Sequence, residues 1–236
     1  MSTDRDYGPR DWSSNPPNFD PAYKSTALRS PKRTPVLLPR TLSEITGPAL
    51  GHEAVSEQDN DLSVNAVSND APLGERIIVT GRVMDENSRP VPNALIEIWQ
   101  CNAAGRYHHA GDKHDAPLDP NFGGAGRCVS DANGDYSFTT IKPGAYPWGN
   151  HENAWRPAHI HFSLFGPSFL TRMITQMYFP GDPLLALDPI FNTVKDPNAR
   201  DLLVSQYDHN VTKPEWALGY RFDVVLRGRG ATPMET

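Results

Sequence analysis

The strongest constraint on how this chain can fold is the alternation that begins at Ala158. In Ala158-His-Ile-His-Phe-Ser-Leu-Phe165 polar and apolar residues take turns. Successive side chains of an extended strand point to opposite faces, so His159, His161 and Ser163 share one face while Ile160, Phe162 and Leu164 share the other. A strand that buries its apolar face therefore presents two imidazoles to one spot. Pro157 cannot donate to a ladder and biases Arg156 to extended backbone, as expected where a strand begins beside a loop. This places Arg156 near the histidine pair. Histidine is the commonest metal ligand, but a His-x-His pair on a strand also occurs as two half-buried imidazoles bonded to backbone, so its meaning depends on what joins it.

A chain of 236 residues is long enough for one large all-β domain with a real core. The formal charge of −6 and the absence of a lysine- and arginine-rich run argue against a nucleic-acid partner. No run approaches the ~18 apolar residues of a membrane span, and Met1-Ser-Thr-Asp-Arg-Asp lacks the apolar segment of a secretory signal. A cytoplasmic protein without a membrane role is expected. Cys101 and Cys128 fit neither a Cys-x-x-Cys pattern nor a disulfide framework, and read as buried free thiols.

Residues 1–74 are rich in Pro, Ser, Asp and Asn and could form little core. Tyr23, Leu28, Val36, Leu37, Leu38 and Leu42 are nonetheless scattered through them, so a Pro-rich arm packed on a partner subunit is expected, with a turn of helix at Ser43–Thr46. The folded domain is expected over residues 75–236. Strands are expected at Arg76–Met84, Ala94–Gln100, Tyr136–Thr140, His159–Phe165 and Thr171–Phe179, with one more where Tyr220, Phe222, Val224 and Leu226 alternate with charged residues. Asp131-Ala-Asn-Gly-Asp135 reads as a Gly-centred turn. A short helix is expected around Asn198–Gln206. Short strands at this spacing predict an all-β fold, a mixed or antiparallel β-sandwich with long loops and an extended N-terminal arm.

Gly105-Arg-Tyr-His-His-Ala-Gly-Asp-Lys-His114 looks at first like a zinc cluster. Adjacent His108 and His109 would point apart, however, and no Cys, Asp or Glu stands at structural-zinc spacing, so these histidines and His114 read as a solvated loop. Tyr107 belongs to a longer pattern. Val79-Thr-Gly-Arg-Val83, Ser88, Val91, Ile96-Glu-Ile98 and Gly105-Arg-Tyr107, followed by Tyr146-x-Trp148 and Arg156-Pro-Ala-His-Ile-His161, resemble the signature blocks of the intradiol ring-cleaving dioxygenases. Those are non-haem ferric enzymes that split catechols between their hydroxyls. The resemblance spans roughly residues 75 to 180.

The resemblance implies that Tyr107, Tyr146, His159 and His161 hold one Fe(III) per chain, with hydroxide or water completing the shell. Donor chemistry agrees: phenolates are hard anionic ligands suited to a ferric ion, and two phenolates with one hydroxide balance its three charges. It further implies that the catechol displaces hydroxide and the Tyr146 phenolate, that Arg156 stabilises negative charge on the ring, and that Gln176 is a polar group of the pocket. The arm, with Pro21-Ala-Tyr23 and the Tyr146–Trp155 block, is similar to family members whose iron-bearing chain pairs with a related alpha chain that lacks the ligands. For such members the substrate would be 3,4-dihydroxybenzoate, its ring carboxylate received by Tyr23 and Trp148 with Ile190 lining the pocket. The product would be 3-carboxy-cis,cis-muconate, entering the β-ketoadipate pathway. Other readings remain open: another catechol, a non-catalytic transthyretin-like binding module, or a zinc hydrolase with Glu152 as base.

Overall fold

The computed structural model describes residues 14–34, 36, 51–66, 70–153, 155–165 and 172–235. Two sheets face each other. The first is built on β1 (Arg76–Met84), whose run of Ile77, Ile78, Val79 and Val83 is buried. One side of β1 pairs antiparallel with β4 (Asp135–Ile141). Its other side pairs parallel with β10 (Leu218–Arg221) and then β11 (Val224–Val225), and β9 (Gln206–Tyr207) extends the sheet beyond β10. The second sheet has the order β3 (Ala125–Val129), β2 (Leu95–Trp99), β7 (His159–Phe165), β8 (Arg172–Tyr178), all antiparallel. Ile96, Ile98, Ile160, Phe162 and Leu164 from this sheet pack with Ile77, Val79, Phe138 and Phe222 from the first, giving the mixed β-sandwich expected. A short hairpin of β5 (Tyr146–Pro147) and β6 (Trp155–Arg156) stands apart from both sheets.

Three features differ from the sequence expectation. The alternating run from Tyr220 is broken: β10 ends at Arg221 and β11 begins at Val224. At the break the Phe222 carbonyl lies against Gly81, and Asp223 Oδ1 accepts the Arg82 backbone N–H at 2.9 Å, so the interrupted ladder leaves no orphaned donor. Strand β3 carries weak β propensity because Gly126 sits within it. A side chain there would strike Leu62, which is itself fully buried in the core, while Arg127 N–H donates to the Asp59 carbonyl at 2.8 Å. Residues of the arm thus cover this strand.

The helices are also distributed differently. Besides α1 (Thr26–Arg29), a 3-10 turn at Pro183–Leu187 is followed by α2 (Pro189–Thr193) and α3 (Pro197–Asp201). Each of the last three opens on an Asp-Pro pair. Asp182, Asp188 and Asp196 accept the N–H of Leu184, Ile190 and Asn198 at 2.9, 3.2 and 3.0 Å, and the following proline occupies the position that needs no donor. Within the arm, Tyr23 is buried whereas Leu28 and Val36 are exposed; Leu37, Leu38, Leu42 and Ser43–Thr46 lie outside the described residues. Among those residues no helix is long and apolar enough to cross a membrane.

A two-tyrosine, two-histidine site on the outer face of the second sheet

Strand register assembles one side of the site. Trp99 on β2, His161 on β7 and Gln176 on β8 are directly paired across the sheet, and His159 is paired with Tyr178. Since Ile160, Phe162 and Leu164 enter the core, this row lies on the opposite face. Trp99 stacks on His161, with ring centroids 4.8 Å apart and planes 4° from parallel.

The β5–β6 hairpin supplies the next group. Tyr146 and Arg156 are directly paired in it, so one short element delivers both. Tyr107 arrives on a loop fixed by Asn102, whose Oδ1 accepts the N–H groups of Ala104 and Arg106 at 3.0 and 2.9 Å. Gly105, at φ +79°, presses this loop against the Ala145 carbonyl, where no side chain would fit. Asp112 Oδ2 accepts the Tyr107 N–H at 2.8 Å.

The four rings close a circuit. Centroid separations are 5.4 Å for Tyr107–Tyr146, 5.5 Å for Tyr146–His159, 4.9 Å for His159–His161 and 6.4 Å for His161–Tyr107. Among the described residues no group of three or more His, Cys, Asp or Glu side chains is placed to hold a metal; this cluster draws half its donors from phenols. His159 Nδ1–H donates to the Pro157 carbonyl at 2.7 Å, which leaves Nε2 as the basic nitrogen; it receives Arg156 Nη1–H at 3.1 Å and the Tyr146 hydroxyl at 3.4 Å. His161 Nδ1 faces Glu235 Oε2 at 3.2 Å. The Tyr107 hydroxyl is buried with no hydrogen-bond partner, though Tyr146 is near enough to influence its ionisation.

Burial dominates the acidities. It pushes the Tyr107 phenol well above its ordinary value, with Tyr146 adding to the effect. It also raises Tyr146, where nearby Arg156 opposes the shift. Burial, then Arg156 and His161, drives the His159 pKa well below the ordinary histidine value, so that imidazole is a neutral base.

Arg156 is buried and fully engaged. Its Nη2 donates to Asp188 Oδ2 at 2.9 Å, Gln176 Oε1 at 2.7 Å and the Tyr178 hydroxyl at 3.0 Å. Burial disfavours its charge, but Tyr178 and Asp188 more than compensate and hold it cationic. Trp148 lies 5.4 Å from the guanidinium, and Tyr23 from the arm packs on Trp148 with centroids 5.2 Å apart. Ile190 is buried beside Gln176, Tyr178 and Glu235 at a small cavity. All nine predicted site residues therefore fall in one region. His108 and His114 bond instead to the carbonyls of Asp119 and Gly105 at 3.1 Å each, and Glu152 is exposed. A wider cleft lined by Arg82, Arg127 and Arg221 contains none of these residues, and its arginines are paired with Asp135, Asp59 and Asp223.

Sequence reasoning missed Trp99, Tyr178, Asp188 and Glu235. Period-2 spacing from Gln176 identifies Tyr178, and the Asp-Pro cap marks Asp188 as a helix start. Nothing local marks the partners of Trp99 or Glu235.

A family described as Dioxygenase matches residues 45–228, and one described as Protocatechuate 3,4-dioxygenase beta subunit N terminal matches residues 9–41. The chain is 60% identical to the protocatechuate 3,4-dioxygenase beta chain of Burkholderia cepacia over 96% of each. It is 30% identical to the protocatechuate 3,4-dioxygenase alpha chain of Pseudomonas putida, covering 83% of this chain and 96% of that one. The fold is similar to 3-chlorocatechol 1,2-dioxygenase from Rhodococcus opacus 1CP, with a TM-score of 0.54 at 22% identity over 72% of this chain and 65% of that one.

Proposed function

The chain belongs to the intradiol ring-cleaving dioxygenase family, and from that premise we propose that it is the iron-bearing beta chain of an enzyme that converts 3,4-dihydroxybenzoate and O₂ to 3-carboxy-cis,cis-muconate. The observation that carries the proposal is the closed circuit of Tyr107, Tyr146, His159 and His161 beside a buried Arg156. Identity to the Burkholderia cepacia beta chain along nearly the whole length supports the substrate. The match to an alpha chain supports a related partner in an αβ hetero-oligomer. We assign residues 75–236 to the iron-bearing sandwich, whose core also takes in Leu62, and residues 1–74 to an arm that covers β3 of its own chain through Asp59 and Leu62 and reaches that partner.

The donor set fits a ferric ion. Two phenols are hard oxygen ligands, the buried Tyr107 hydroxyl has no hydrogen-bond partner, and the Nδ1 contacts of both histidines make Nε2 the nitrogen that would coordinate, which in His159 would replace the bond it accepts from Arg156 Nη1. Tyr107, Tyr146, His159 and His161 would hold one Fe(III). When bound it supplies a Lewis acid that ionises the phenols and a chelated catechol and draws electron density from the ring.

The remaining chemistry belongs to the chain. Tyr146, ionised by such a ferric ion, would accept a catechol proton at its phenolate oxygen. Arg156, locked by Asp188, Gln176 and Tyr178, presents a fixed positive charge to the ionised ring. Tyr23 and Trp148 shape the end of the pocket for the ring carboxylate, and Ile190 contributes apolar wall. Both atoms of O₂ end in the product, so no external reductant is needed.

The visible absorption of the purified protein tests this reading, recorded with and without anaerobic 3,4-dihydroxybenzoate. Tyrosinate-to-ferric charge transfer that shifts on adding substrate is the expected result. A protein that stays colourless after ferric reconstitution would overturn it.

A further inference from the structure

The last residues of the chain form a strap between the two sheets. On the first sheet, Thr232 N–H donates to the Val225 carbonyl at 2.9 Å and Thr232 Oγ1 accepts the Val225 N–H at 3.0 Å. Pro233 then accepts Thr175 Oγ1–H at 2.7 Å, and Glu235 N–H donates to the Ile174 carbonyl at 2.8 Å, both on edge strand β8 of the second sheet. Met234 N–H donates to Asn15 Oδ1 at 3.0 Å, so the arm pins the strap from outside. Ala231 and Thr232 are each 1% exposed. The strap is bonded to both sheets, and its Glu235 side chain reaches the site.

That side chain addresses one imidazole only. His159 is oriented by the carbonyl of Pro157, two residues away. His161 has no such local support: Trp99 stacks on its face, and Glu235, 74 positions along the chain, meets its Nδ1 at 3.2 Å. The two side chains are 12% and 20% exposed, which protects the contact from water. Gln176, already bonded to Arg156, also lies close enough to stabilise the Glu235 carboxylate.

We infer that Glu235 is a positioning residue for His161, holding it as the Nδ1–H tautomer with Nε2 free to coordinate, and that the C-terminal strap exists to deliver it. A carboxylate on the far nitrogen fixes a ligand ring and raises its basicity. The function of this contact rests on the ferric reading of the site, but the contact itself is a property of the metal-free protein.

The test pairs Glu235→Ala and Glu235→Gln with the native chain. In ¹⁵N-histidine NMR of metal-free protein at alkaline pH, native His161 is expected as a single Nδ1–H tautomer and the Ala variant as a mixture. Ferric ion retained against a competing chelator should weaken by about 10–100-fold in the Ala variant. The loss should be smaller in the Gln variant, whose amide oxygen still accepts the bond and whose shape keeps the strap intact. An Ala variant with the native tautomer and native ferric affinity would overturn the inference. If the native protein binds no ferric ion, the metal reading falls, and the tautomer measurement still decides whether Glu235 orients His161.

Discussion

The guanidinium of Arg156 meets the carboxylate of Asp188 at 2.9 Å, with the two side chains 3% and 0% exposed. Asp188 also caps α2 through Ile190 N–H, so one carboxylate both neutralises the active-site cation and starts a helix. Removing one member of a buried pair strands the other charge. Asp188→Ala is expected to destabilise the metal-free protein by about 3–5 kcal/mol, read by urea denaturation, and to lower turnover. A loss under about 1 kcal/mol would place the pair among weakly contributing surface bridges.

Tyr107 carries a buried hydroxyl with no hydrogen-bond partner. In the metal-free protein that group carries a desolvation cost that its weak contact with Tyr146 only partly offsets, so Tyr107→Phe should match or exceed the native stability, by up to about 1–3 kcal/mol. The same variant should lose ferric colour. Thermal unfolding of the chelator-treated proteins checks the first expectation, and a clearly less stable variant would contradict it.

Asp112 ties the Tyr107 loop by accepting the N–H groups of Tyr107 and His114, each at 2.8 Å. Burial raises its pKa, but these bonds, with Arg106 and His114 nearby, outweigh that and hold it below the ordinary value. The native state therefore binds its proton less readily than the unfolded chain. The stability this contributes is fully present above the ordinary aspartate pKa of about 4 and is lost as pH falls through the lower folded value. The melting-temperature difference between native protein and Asp112→Asn should be constant near neutrality and shrink below about pH 4. A difference that grows on acidification would reverse the sign and refute the assignment.

Gly81 faces the Phe222 carbonyl and the Tyr136 hydroxyl where the C-terminal ladder breaks, and Tyr136 donates its hydroxyl to that same carbonyl. A methyl group here meets the Phe222 backbone first, which cannot swing aside as a side chain can. Gly81→Ala is expected to cost about 1–3 kcal/mol, at the upper end of that range, measured by chemical denaturation. Native stability in this variant would mean that the two strands separate without penalty.

The period-2 alternation at Ala158–Phe165 was enough to send Ile160, Phe162 and Leu164 into the core and to leave His159 and His161 together on the other face, and the structure has them so. Strand β3 was illegible because Gly126 has no propensity of its own; its place depends on Leu62 filling the space above it. The run from Tyr220 read as one strand because its alternation is unbroken, whereas its interruption comes from a contact with Gly81, far away in sequence.

Local pattern by itself determined which residues of the strand from Ala158 face in or out, because side-chain period acts over a few residues. The three Asp-Pro starts are equally local signals, although the sequence reading placed only one helix in that part of the chain, around Asn198–Gln206. Tertiary structure alone decided which faces meet. Backbone ladders carry no record of the side chains beside them, so only register sets Trp99 against His161 and Gln176, and only the packing of loops and termini brings Asp188 to Arg156 and Glu235 to His161.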